Sequence, residues 1–299
     1  MNRGKPATSL LVAWLVMALG GCAAPRAEVV VRTSPVWLAD DAIYFLRQAG
    51  SGQVEIWSRG STDGDRERFV ASRESLPEAC GVPAELFRMG DGRLGVALDC
   101  DSTRLLAFDP VARTFARIAD LRSRVAEVTL SADLSNGYSS GVNERCWWLS
   151  TIGLPDGRLA PALPDLTCAA GGSARSPVLT RWGGLVFVAT RDEAAGAETD
   201  RDNRRWSVHL GGFQGVPYKG IGPTFQGPPD LDLSPDEETA AVTVTKFDRW
   251  RLLLVDLRDG ETRELHSSPD RLFDPSFAPD GREVAFSDGH QVKIVRLGR

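Results

Sequence analysis

The sequence predicts an all-β chain, a six-bladed β-propeller of four-stranded antiparallel blades, with five blades as the alternative. Three observations carry this. A strand, turn and strand pattern recurs along the chain; separated turns recur at common offsets; and the cysteines bracket hairpin turns.

The C-terminal repeat is the clearest. Asp232-Leu233-Ser234-Pro235-Asp236-Glu237 leads into an apolar run at 239–245. Pro275-Ser276-Phe277-Ala278-Pro279-Asp280-Gly281 leads into another at 283–287. Each reads as a strand, a Pro-Asp turn and a second strand. The two turn prolines lie 44 residues apart. Between them a strand at 251–257, the turn Arg258-Asp259-Gly260 and a strand at 261–265 complete a four-stranded unit. Earlier units register on this one. Ala132-Asp133 and Asp156-Gly157 match Pro235-Asp236 and Asp259-Gly260 at the same offset of 103, and Ala39-Asp40 and Asp63-Gly64 match them at 196. Gly90-Asp91-Gly92-Arg93 marks a weaker unit, and Trp182-Gly183-Gly184 before 185–190 the most divergent. The six units average about 45 residues, the period of propeller blades.

The last unit holds strands near Ser276, at 283–286 and at 291–297, and no fourth. The segment 28–32 is strand-like, with Val29 and Val31 alternating with Val30. It is expected to pair with 291–297 and close the ring, covering two otherwise open edges.

The run Ser276-Phe277-Ala278-Pro279-Asp280-Gly281-Arg282-Glu283-Val284-Ala285-Phe286 resembles the repeat of TolB-type, WD40-like bacterial β-propellers. Leu233-Ser234-Pro235-Asp236 resembles it less fully, with Glu237 where the repeat usually has Gly. The Pro-Asp-Gly turn identifies a blade and no active site. Because TolB-type proteins commonly serve in envelope protein assemblies, the resemblance implies a binding class without naming a partner.

The N-terminus points to export. Arg3 and Lys5 precede an uncharged apolar run at 10–19, then Leu19-Gly20-Gly21-Cys22. Ten helical residues span about 15 Å, half a bilayer core, so a signal peptide at 1–21 fits better than a membrane span. Leu three residues before Cys, with small residues between, resembles a bacterial lipobox. Cys22 is the expected lipidation site, 22–27 a short tether and 28–299 the propeller. The alternative is a plain secreted protein with an incidental Cys22.

Four further cysteines, Cys80, Cys100, Cys146 and Cys168, form an even set. In an exported protein that favours two disulfides. Cys80 and Cys100 are equidistant from Gly90, and Cys146 and Cys168 from Gly157. Each pair is thus placed to meet at the open end of its own hairpin. The spacing has no Cys-x-x-Cys and no nearby His, which argues against zinc.

Without Arg3 and Lys5 the chain carries 33 basic and 40 acidic side chains, with no basic stripe, so nucleic-acid binding is not expected. Hydrophobic residues make up 42%, enough for a substantial core. Gly137-Tyr138-Ser139-Ser140-Gly141 matches the serine-hydrolase elbow pattern, but it falls in a strand with no helix pattern after it. His209, His266 and His290 lie in no supporting motif. Asp192, Glu193, Glu198, Asp200 and Asp202 could gather around calcium. The interleaved Arg191, Arg201, Arg204 and Arg205 favour a solvated loop between the second and third strands of the fourth blade. Long loops on rigid scaffolds carry recognition, so Asp192, Glu193, Asp200 and Asp202 are candidate binding residues. Phe213 and Tyr218, in the Gly- and Pro-rich stretch 211–229 with Phe225, are further candidates; the alternative packs these rings inward. Trp147-Trp148 reads as core rather than as a sugar platform.

The expected function is non-catalytic binding or scaffolding of a protein or small ligand by an exported, lipid-anchored propeller, with no cofactor and no metal. The alternative is a propeller hydrolase or lyase acting on an envelope sugar or lactone.

Overall fold

The computed structural model describes residues 31–39, 41–48, 53–62, 66–76, 80–143, 146–163, 166–191, 204–211 and 217–298. The turns that follow the first strand of each registered unit share one backbone form. Gly281, at φ +70°, donates its N–H to Ala278 O (2.9 Å). Gly92 and Gly183 do the same in their own turns. Glu237, Leu134 and Asp41 take the same positive φ without being glycine, at +63°, +57° and +60°. That conformation disfavours a Cβ. Neighbouring aspartates offset part of the cost: Asp280, Asp236 and Asp133 each accept the backbone N–H two residues on, at 2.9, 3.1 and 3.0 Å. The backbone form is kept where the glycine is not.

These turns open antiparallel sheets. The first runs β1 (Val31–Trp37), β2 (Ala42–Gln48), β3 (Val54–Gly60), β4 (Arg68–Ser72). The second runs β5 (Val82–Arg88), β6 (Leu94–Asp99), β7 (Thr103–Asp109), β8 (Thr114–Asp120). The third runs β9 (Glu127–Leu130), β10 (Gly137–Val142), β11 (Trp147–Gly153), β12 (Arg158–Pro161). A seven-stranded sheet follows, from β13 (Gly172–Leu179), β14 (Leu185–Arg191) and β15 (Arg205–Gly211) through β16 (Lys219–Leu233) to β17 (Thr239–Lys246), β18 (Arg249–Asp256) and β19 (Thr262–Ser268). The last sheet is β20 (Phe273–Phe277), β21 (Glu283–Ser287) and β22 (Val292–Arg296). The architecture is an all-β propeller of antiparallel sheets.

β16 joins what the sequence reading separated. Its first part pairs with β15 (Trp206↔Phe225), its last with β17 (Leu231↔Val242), and the register shifts between Gln226 and Asp230. The stretch 211–229, expected as a loop, is therefore strand from Lys219 onward. Pro228 and Pro229 sit at the register shift, where no ladder N–H is required.

Second strands are buried on both faces because a neighbouring sheet covers each. Hence Leu94, Val96, Ala97 and Leu98 of β6 and Leu185, Val186, Phe187 and Val188 of β14 form continuous apolar runs. Outer strands such as β8 are largely exposed. The first and last sheets pack on each other through Trp37, Ile43 and Phe45 against Ala278, Ala285 and Val292. The ring is bonded there as well: Trp37 N–H donates to Ser276 Oγ (3.0 Å).

The expected pairing of 28–32 with 291–297 is corrected at its last two residues. Val31 and Arg32 belong to β1 and pair with Gln48 and Arg47 of β2. β22 pairs with β21 and with no second strand among the described residues. Glu28, Val29 and Val30 lie outside the described residues. Val31 and Arg32 cannot pair with β22 because β1 is the innermost strand of its own sheet.

Both disulfides form as the hairpin argument required. Cys80 joins Cys100 beyond the Val82↔Asp99 pair, with Cα atoms 5.4 Å apart. Cys146 joins Cys168, with Cα atoms 5.7 Å apart. Here the ladder ends at Pro161, and Cys168 arrives on a short 3-10 turn, Cys168–Ala170. Closing loops of this size contributes about 3 kcal/mol each in the chain-entropy picture.

Candidate functional site

The register that located the turns also locates a site that the sequence reading passed over. Ser34, Glu85, Glu127, Ser176, Asp230 and Asp274 each lie five residues before the turn positions Ala39, Gly90, Ala132, Arg181, Pro235 and Pro279. All six sit on β1, β5, β9, β13, β16 and β20, and all six line one cavity. Ser34, Ser176 and Asp274 adopt φ of +50°, +50° and +46°, each directly before a proline and inside a register shift. Non-glycine residues rarely take this conformation, and a following proline disfavours the helical alternative. Such strain, of order 1–3 kcal/mol per residue, persists only where the surroundings fix it.

The surroundings are a belt of hydrogen bonds from strand to strand. Val128 N–H donates to Glu85 Oε1 (3.2 Å), Ser176 N–H to Glu127 Oε2 (2.7 Å), Asp274 N–H to Asp230 Oδ2 (3.3 Å) and Ser34 N–H to Asp274 Oδ2 (2.9 Å). The N–H groups of Ser34, Ser176 and Asp274 are ones that their strands' bulges leave outside the ladder, whereas Val128 lies in a strand pairing without a register shift. Closer to the turns the pattern repeats: Phe277 N–H donates to Asp232 Oδ2 (2.7 Å) and Leu179 N–H to Thr129 Oγ1 (3.3 Å).

On one side of the ring the charges are saturated. Arg175, 7% exposed, donates from Nε to Glu127 Oε1 (2.9 Å) and from Nη2 to Asp230 Oδ1 (2.6 Å), and its Nη2 also meets Glu127. Its guanidinium lies 4.2 Å from the Trp147 ring centroid. Ser140 Oγ donates to Glu127, and Thr243 Oγ1 to Asp230 Oδ2 (3.3 Å). Burial alone would raise the Glu127 carboxyl; the Arg175 charge, with hydrogen bonds from Arg175, Ser140 and Ser176, outweighs it and holds the group below its ordinary value.

On the other side they are not. Glu85 Oε2 is buried and has no hydrogen-bond partner among the described residues. Burial, then the nearby charge of Glu127, pushes Glu85 well above its ordinary value. Burial and the Asp230 charge push Asp274 up to about 7. Toward the turns, burial raises Asp232 while Arg88, 3.7 Å away, opposes it. Arg88 Nη2 is itself held by Phe277 O (2.6 Å) and Ser276 Oγ (3.2 Å).

Above the ring the cavity measures about 650 Å³ and extends to the turns at Gly90, Ser131, Arg181 and Glu237. Trp182, between the lining residues Arg181 and Gly183 but not itself lining the cavity, is 60% exposed. Among the described residues no histidine or cysteine lines the cavity. Among the described residues no group of three or more His, Cys, Asp or Glu is placed to hold a metal ion.

The residues singled out from the sequence fall elsewhere. Asp192, Glu193, Glu198, Asp200, Asp202 and Phe213 lie outside the described residues, as does Cys22. Tyr218 faces inward, edge-on to Phe187 (5.8 Å) and His209 (5.6 Å), and Phe225 is buried in β16. Ser139 and Ser140 are both buried in β10, with no helix after them. Trp147 and Trp148 are half-buried; Trp148 covers Gly141, where a Cβ would lie 2.4 Å from its ring.

No protein-family model matches the chain, and no curated protein matches it in sequence. Solved structures match it over most of its length at low identity. TolB from Acinetobacter baumannii is 14% identical with a TM-score of 0.54, over 90% of this chain and 64% of that one. The chain thus spans just under two thirds of that TolB's length. An oligogalacturonate lyase from Vibrio parahaemolyticus is 11% identical (TM-score 0.54; 92% and 93% covered), and a chain of a mitotic checkpoint complex is 11% identical (TM-score 0.57; 97% and 99% covered). Sheets arranged around one polar channel define a β-propeller. Within that class the chain is a TolB-like propeller in fold.

Proposed function

We propose that this is a non-catalytic binding propeller of six blades, exported and lipid-anchored through Cys22, which receives a protein or small ligand at the channel mouth. The six-blade reading treats β16 as two strands in one, the outer strand of the fourth blade and the inner strand of the fifth. The observation that carries the functional reading is the division of labour in the channel. Glu85, Glu127, Asp230 and Asp274 each hold a neighbouring strand's N–H, so they build a rigid concave receptor. The hydroxyl–carboxylate pairs of the lining, Ser34–Asp274 and Ser176–Glu127, sit in this same belt with their carboxylates already holding backbone N–H groups. Propellers of this fold include both TolB and a lyase, so the alternative remains an enzyme acting on an envelope sugar or lactone. Detectable turnover of such substrates by the purified chain would favour it.

Two experiments test the reading. Cys22→Ala should move the protein from the detergent phase to the aqueous phase; unchanged partitioning removes the anchor. A photo-crosslinking residue at Trp182, on the mouth face, should capture a partner in intact cells. The same residue at Phe247, 79% exposed on the β17–β18 turn of the opposite face, should not. Equal capture at both positions rejects the mouth as the binding face.

A further inference from the structure

We infer that the unsaturated side of the channel ring, at Glu85 and Asp274, is a subsite for an organic cation bearing a primary ammonium or guanidinium group. The inference rests on the binding reading above and gives its ligand a chemistry.

Charge is the first argument. Glu85, Glu127, Asp230, Asp232 and Asp274 line the cavity or its floor, against Arg175 and Arg88. Arg175 is spent on Glu127 and Asp230, and Arg88 on Phe277 O, Ser276 and Asp232. Among the described residues no Arg or Lys bonds Glu85 or Asp274. The second argument is independent of charge. Glu85 Oε2 is a buried acceptor on the cavity wall with nothing to accept from. A buried polar atom left in that state costs about 1–3 kcal/mol, which a donor from a ligand would recover. An ammonium or guanidinium is all donor and no acceptor.

Size and coordination narrow the choice. About 650 Å³ is far more than a water occupies and suits a small organic molecule or one long side chain. A hard divalent ion needs six or more oxygen ligands, and the described residues offer no such group.

Occupancy carries a proton signature. A bound cation favours the ionised carboxylates, so binding releases protons from Glu85 and Asp274 and tightens as pH rises through about 7. The groups facing these two are Glu127 on β9, Arg175 on β13, Asp230 and Asp232 on β16 and Arg88 on β5; β1 contributes the neutral Ser34.

Titration calorimetry of the full processed chain tests this, with agmatine as the probe and a blocked Gly-Lys-Gly peptide and calcium chloride as separate arms. Agmatine should bind more tightly at pH 8 than at pH 6. Glu85→Gln and Asp274→Asn should each weaken it about tenfold or more. Both substitutions keep an oxygen for the Val128 and Ser34 N–H groups, and near-UV circular dichroism verifies that each variant is folded. Binding of the peptide places the cation on a partner protein's side chain; binding of agmatine alone places it on a free small molecule. Either supports the subsite. Absence of binding by both at millimolar concentration, affinity unchanged in the two variants, or calcium displacing agmatine overturns it. Crosslinking at Trp182 would survive that failure, so the subsite and the binding reading fall separately.

Discussion

The two sides of the channel ring occupy equivalent positions of the same repeat and reach opposite electrostatic states. Around Arg175, the acids Glu127 and Asp230 have a buried counter-charge and further donors from Ser140, Ser176 and Thr243. Around Glu85 and Asp274 the donors are backbone N–H groups and the Ser34 hydroxyl, and the carboxyls are pushed toward their neutral forms. Burial is common to both sides, so burial does not decide the protonation state. One arginine does. The saturated side stabilises the ring, and the unsaturated side leaves capacity for a ligand.

Removing the arginine should give the largest effect. Arg175→Ala leaves Glu127 and Asp230 buried without a counter-charge, and breaking such a cluster typically costs about 3–5 kcal/mol. Urea denaturation should show a loss of that size, because β9, β13 and β16 are joined through this one guanidinium. A loss below about 1 kcal/mol would mean that the two sides are equivalent in energy.

The acids should respond to pH with opposite signs. Asp274 has its folded value raised above the ordinary 3.8, so its contribution is full below about pH 4 and is lost as pH rises through about 7. Glu85 acts in the same direction from its ordinary 4.5 upward. Glu127, held below 4.5, contributes above that pH and loses its contribution as the pH falls through its folded value. Asp274→Asn and Glu85→Gln should therefore be more stable than the parent at pH 8, by on the order of 1 kcal/mol or more. Near pH 4 they should differ little from it. Thermal melts across this range read the slope; a parent whose melting temperature is flat from pH 4 to 8 contradicts the unsaturated side.

How much of this was readable beforehand depended on whether the signal was a backbone form or a side-chain environment. The turns were readable, even at Asp41, Leu134 and Glu237, because offsets between paired turns survive the loss of glycine. The disulfides followed from the same hairpins. The continuity of β16 was not readable, because Pro228 and Pro229 with nearby glycines look like a loop when a register shift is invisible. The polar ring was hidden differently. Ser34, Glu85, Glu127, Ser176, Asp230 and Asp274 share no residue type, and no single one is unusual. Counting five back from the turn after the first strand of each unit, at 39, 90, 132, 181, 235 and 279, reaches a polar residue every time. What no count could show is that Arg175 reaches two of these acids while Glu85 keeps an unpaired oxygen.

The smallest predicted effect lies in one strand, β10, where Ser139 and Ser140 are neighbours. Side chains alternate faces along a strand, so these two hydroxyls face different surroundings although both are buried. Ser140 Oγ donates to Glu127 and belongs to the saturated side. Ser139 Oγ has no hydrogen-bond partner among the described residues. Ser140→Ala should cost about 1 kcal/mol, the worth of one hydrogen bond, because Arg175 and the Ser176 N–H still hold the Glu127 carboxylate in the variant. Ser139→Ala removes a hydroxyl that pairs with nothing, and should be neutral or slightly stabilising. The pair also tests the hydrolase pattern that contains them. If Ser139 were a nucleophile, its alanine variant would lose esterase turnover at unchanged stability. If the two hydroxyls are only structural, the asymmetry appears in denaturation midpoints and neither variant alters turnover. Equal midpoints for both variants would show that the Ser140–Glu127 bond adds nothing, and that Arg175 alone separates the two sides of the ring.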